Sequence, residues 1–72
     1  MDETVIDQRR KIGRKLKDLR LARDLSQVDL ALMVGTDRGQ ISRIEAGEIN
    51  AGIDSYIKLA AALGVDLSAM LA

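Results

Sequence analysis

Gly35 falls nine residues after Ser26, and Gly47 follows twelve residues later. Apolar residues recur at helical spacing on both sides of Gly35, so this stretch reads as two short helices. Glycine supplies the positive φ that a sharp turn requires after so short a first helix. Ser26 and Asp29 have the spacing of a capping box, with Asp in place of Glu, and Leu25 with Leu30 can form a hydrophobic staple. Thr36 offers a fresh N-cap with Asp37 in the first turn behind it. Gly47 closes the second helix as a left-handed cap. Inside the bend, Ala31 sits where the helices meet, since a larger side chain would push them apart. Ile41 and Ile44, with Val28 and Val34, are expected to pack the angle.

The rest of the chain is also helical by pattern. Ile12, Leu16 and Leu19 make an i, i+4, i+7 stripe with basic residues on the other faces. Asp2, Glu3 and Asp7 lie near its start, where the helix dipole favours negative charge. That helix should stop around Arg23-Asp24, because Asp tolerates the left-handed conformation. After a loop over Glu48 to Gly52, Ile53, Ile57, Ala60 and Leu63 point inward on a fourth helix that Gly64 closes. The predicted helices are 6–22, 26–34, 37–46, 53–63 and 66–71. They form an all-α, five-helix bundle in a single domain, 1–72.

Composition narrows the chemistry. The 72 residues contain no cysteine, histidine or proline, and Tyr56 is the one aromatic. Disulfides, thiolate chemistry and the usual zinc ligand sets are therefore excluded, and no cofactor or metal is expected. No phosphate loop or paired-carboxylate pocket suggests catalysis, and no catalytic residue is assigned. A domain this small has a thin margin of stability, which leaves helix packing and oligomerisation as supports. No apolar run approaches the ~20 residues needed to span a bilayer, so a cytoplasmic protein is expected.

Net charge is zero but unevenly spread. Residues 1–25 carry eight basic against five acidic side chains, and residues 26–50 carry two against four. A neutral domain can bind DNA if its basic groups share a face, with modest non-specific affinity.

Two short helices about a tight glycine turn, the second with polar residues outward, have the form of a helix-turn-helix. Asp37, Arg38, Gly39, Gln40, Ser42 and Arg43 remain outward on its second helix. In an arbitrary helix Arg38 and Arg43 would be solvated surface; within this motif they are expected to reach bases. Asp37 could accept from cytosine, orient an arginine or simply cap. Gly39 costs about 1 kcal/mol in a helix interior relative to Ala. Either a close approach explains it or it is a tolerated defect.

From Ile12 to Leu71 the sequence resembles the phage repressor/Cro-type, or XRE-like, helix-turn-helix family. The resemblance rests on Ile12-Gly13, Leu16, Arg20, Leu25-Ser26-Gln27, Leu30-Ala31, Gly35, Ile41-Ser42, Ile44-Glu45, Gly47, Leu59-Ala60 and Ala62-Leu63-Gly64-Val65. Asp24 stands where the family usually has Gly, and Ala51-Gly52 replace a frequent Pro-Ser, which puts those loop conformations in question. The resemblance implies a lambda-repressor-like fold whose third helix enters the major groove of double-stranded DNA. Arg38, Gln40 and Arg43 would face base edges, with Asp37 and Gly39 beside them; Arg suits guanine and Gln suits adenine. Gln27, Thr36, Ser42 and Asn50 would lie near the DNA backbone. Arg20 and Glu45 match a family ion pair linking the first helix to the third.

The apolar residues Val65, Leu67, Met70 and Leu71 exceed what a chain end normally exposes. They either form a homodimer interface or fold back on the first helix. The expected function is a dimeric transcription regulator on a palindromic operator, such as a restriction-modification controller or prophage regulator. The alternative is an antitoxin or protein-interaction adaptor on the same fold.

Overall fold

In the computed structural model, which describes residues 2–71, five helices account for all the regular secondary structure. The first, α1 (Glu3–Leu21), begins three residues before the predicted boundary. The Asp2 carboxylate accepts the Thr4 N–H at 2.7 Å, and Glu3 adds negative charge to the first turn. A capped first turn extends the helix beyond its apolar stripe. At the other end, Asp24 takes φ +55°. The Asp24 N–H then donates to the Leu21 carbonyl, and the Leu25 N–H to that of Arg20. This is a Schellman turn closed by Asp where a glycine is usual.

The second helix, α2 (Gln27–Val34), opens on a complete capping box. The Asp29 N–H donates to Ser26 Oγ at 2.9 Å, and the Ser26 N–H donates to Asp29 Oδ2 at 2.9 Å. Gly35, at φ +76°, ends it. The third helix, α3 (Arg38–Glu45), departs from expectation at its start: Asp37, not Thr36, is the N-cap. The Thr36 N–H is given to the Ala31 carbonyl at 2.9 Å, so Thr36 still belongs to the end of α2. Asp37 Oδ1 then accepts the Gln40 N–H at 2.9 Å. Of the three roles considered for Asp37, capping is the one present here.

The fourth and fifth helices are α4 (Ile53–Ala62) and α5 (Ser68–Leu71). The core they close contains Leu16, Leu30, Ala31, Ile41, Ile44, Leu59, Ala60, Leu63 and Met70. Three inward assignments fail. Val28 is half exposed, because the α2 surface that meets the rest of the fold is centred on Leu30 and Ala31. Ile53 and Ile57 are 58% and 49% exposed. The buried side of α4 runs through Tyr56, Leu59, Ala60 and Leu63, and that phase turns Ile53 and Ile57 away from the centre. Met70 also needs correction as an interface residue. It is 1% exposed and packs in the protein's own core, where α5 meets α1.

Close approach of α1 and α3 depends on Gly13. A Cβ at that position would stand 2.5 Å from the Ile44 carbonyl oxygen and 2.8 Å from the Glu45 carbonyl carbon. Only a hydrogen fits there.

Candidate nucleic-acid interface

The outward surface of α3 is held in place by a buried ion pair behind it. Arg20 Nε donates to Glu45 Oε2 at 2.6 Å, and Arg20 Nη2 to Glu45 Oε1 at 3.0 Å. Both side chains are nearly inaccessible to solvent. Such a bidentate fork fixes direction as well as distance. A third bond, from Arg20 Nη1 to the Leu25 carbonyl at 2.7 Å, ties in the turn between α1 and α2. Gln27 Nε2 donates to Glu45 Oε1 at 3.1 Å, which brings in the first turn of α2. One carboxylate thus gathers α1, α2 and the last turn of α3.

This network assigns Gln27 a role that its sequence position alone did not indicate. Its amide is half-buried and braces Glu45, leaving the second N–H of the NH2 group for another acceptor. Asn50 is also engaged: its Oδ1 accepts the Gly52 N–H at 3.0 Å and shapes the loop that leads into α4. Thr36 is half-buried at the turn, and Ser42 is half-buried on α3.

Arg38, Gly39, Gln40 and Arg43 share the accessible part of α3. Arg43 Nη2 donates to Gln40 Oε1 at 3.2 Å, so two of the expected base-facing side chains meet along the helix. The absent side chain of Gly39 leaves room for this arrangement. A Cβ there would lie 3.1 Å from Asp37 Oδ1 and 3.3 Å from Arg43 Nη1.

Comparison with known proteins supplies the family. The profile of the helix-turn-helix family HTH_3 matches residues 16–70. The chain belongs to this family. The control protein C.MunI of a Mycoplasma species is 41% identical over 59 residues, which span 81% of this chain and 80% of C.MunI. The crystal structure of the restriction-modification controller C.AhdI from Aeromonas hydrophila superposes with a TM-score of 0.86. It does so at 34% identity, over 90% of this chain and 94% of C.AhdI. The hypothetical transcription factor NHTF from Neisseria matches at 32% identity and a TM-score of 0.87, covering 100% of this chain and 80% of NHTF. These relatives are regulators rather than enzymes. As an HTH_3 protein the chain is a DNA-binding transcription regulator, with α2 and α3 as its helix-turn-helix.

A second accessible feature lies away from α3. Ile57, Ala61, Val65, Leu67 and Leu71 line a shallow hollow of about 590 Å³ across α4, α5 and the turn between them. Leu71 is 59% exposed at its edge. Of the four apolar residues considered for an interface, Val65, Leu67 and Leu71 line this hollow, whereas Met70 is buried in the core. The exposure of Ile57 follows only from the phase of α4. Among the described residues no group of side chains suited to a metal ion is present, and no helix is long and apolar enough to cross a membrane.

Proposed function

We propose that the protein binds a two-fold symmetric DNA operator as a homodimer, with α3 in the major groove. It acts in the cytoplasm, by binding rather than by catalysis. Arg38, Gln40 and Arg43 read base edges, Asp37 holds the start of α3, and Gly39 permits close packing beside Arg43. Gln27, Thr36, Ser42 and Asn50 line the approach to the phosphates. The observation that carries this reading is the pairing of Gln40 with Arg43 on the open side of a helix anchored from behind by Arg20–Glu45. The guanidinium matches guanine O6 and N7, and a carboxamide matches adenine.

The mostly apolar hollow between Ile57 and Leu71 supports the dimer, since these two large apolar side chains are about half exposed at its edges while Val65 and Leu67 pack against the core. A compact pair of this kind sets its recognition helices one DNA turn apart, roughly 34 Å, with half-sites about 10 bp between centres. The restriction-modification controller C.AhdI superposes over almost its whole length, and we infer a comparable controlling duty for this chain.

Selecting binding duplexes from a random library and footprinting the winner tests the proposal. A palindrome with half-sites one turn apart is expected, protected by two protomers. A site bound equally well by monomer, or an Arg43→Ala variant that binds as tightly as wild type, would refute it.

A further inference from the structure

A cleft of about 220 Å³ opens between the α2–α3 turn and α4. Thr36 and Gln40 line one wall, Ser55 and Lys58 the other, and Ile44 and Leu59 contribute apolar lining. Ser55 and Lys58 are three residues apart on α4 and so lie on one side of it. Gln40 borders both this cleft and the accessible part of α3, so the cleft adjoins the proposed base-reading surface.

Lys58 is the only basic residue after Arg43 in the sequence. Among the described residues the sole ion pair is Arg20–Glu45, so no carboxylate neutralises Lys58, including Asp54 one turn back on α4. The charge distribution gives this position weight. Residues 26–50 carry two basic against four acidic side chains, and both basic ones, Arg38 and Arg43, face the bases in the proposed function. The other basic residues lie in the first 25 positions, and Lys58 is the one cation that lines this cleft beside Gln40.

We infer that this cleft takes a backbone phosphate of the operator, with Lys58 as its cation and the Thr36 and Ser55 hydroxyls as neutral donors. The inference rests on the reading of α3 as the groove-entering helix. It adds Lys58 and Ser55, on a helix outside the helix-turn-helix, to the DNA-contacting set. A lysine in this role holds the protein on DNA without distinguishing sequences.

The test is a salt titration. The full-length chain, wild type and Lys58→Gln, binds a fluorescent selected operator and a scrambled duplex between about 50 and 200 mM NaCl. Loss of one phosphate contact makes the slope of log K against log salt shallower by about 0.9 per bound protomer. Lys58→Gln is expected to bind both duplexes severalfold more weakly with that shallower slope, while Lys58→Arg keeps the wild-type slope. The thermal midpoint should not move, because Lys58 is exposed. An unchanged slope in Lys58→Gln, or a loss confined to the operator, overturns the phosphate assignment and leaves the reading of α3 intact. A wild-type chain that binds neither duplex overturns both.

Discussion

Gly39 separates two quantities that usually move together, stability and binding. Replacing a glycine with Ala stabilises a helix interior by about 1 kcal/mol from the backbone alone, and less in the first turn, where Gly39 is the second residue of α3. Here the new methyl group would press on Asp37 Oδ1 and Arg43 Nη1, both at the distances of a tight contact. Gly39→Ala is therefore expected to keep or raise the melting temperature while weakening operator binding, read by calorimetry and by anisotropy on the same preparation. Arg43→Ala should cost about 1–3 kcal/mol of discrimination at one base position and little at the others. The buried pair behaves differently. Glu45→Ala leaves Arg20 buried without its carboxylate and is expected to destabilise the fold by roughly 3–5 kcal/mol, measured by urea unfolding. The types and spacing of these residues are legible in the sequence. The Gln27–Glu45 bond is not, because it joins residues 18 apart through a carboxylate already paired with Arg20.

At the scale of elements, helix ends decide where α3 points. The Asp29 carboxyl is held below its ordinary value of 3.8, first by the Ser26 backbone N–H and then by the Ser26 hydroxyl. A lowered carboxylate pKa means that the folded state favours the charged form. The contribution is complete above the ordinary value and disappears as pH falls through the lowered one. Protection of the first-turn amides of α2, taken relative to their intrinsic exchange rates at each pH, should fall in acid over that window, and Asp29→Asn should flatten the dependence. The Asp66 carboxyl is lowered in the same direction, first by the Ser68 side chain and then by the Ser68 N–H, so the start of α5 responds with the same sign. Between elements the sensitive point is Gly13. Gly13→Ala forces α1 away from the last turn of α3, an overpacking that costs about 1–3 kcal/mol. Sequence position gave no sign of this contact, since the opposing atoms are backbone carbonyls of Ile44 and Glu45.

For the whole molecule, the question is which apolar residues serve the single chain and which await a partner. Met70 and Leu71 are neighbours in sequence, yet one is buried and the other open. Met70→Ala is expected to lower monomer stability by about 2–5 kcal/mol through a cavity. Leu71→Glu should leave the fold intact and shift sedimentation from dimer to monomer, with operator binding weakened as a consequence. A Leu71→Glu chain that still sediments as a dimer would place the interface elsewhere.

Local spacing was enough to give the number of helices, the turn at Gly35, the cap at Ser26 and the identity of the polar residues on α3. These depend on spacing and on backbone preferences that act within a few residues. Helix phase and the division between Met70 and Leu71 were settled only when the helices packed together. Each depends on where a distant element lies: α4 turns Ile57 outward because Leu59 and Leu63 fit the core, and α5 buries Met70 because α1 is there to receive it. Periodicity marks a stripe as apolar but does not say which edge of a wide stripe meets a neighbour.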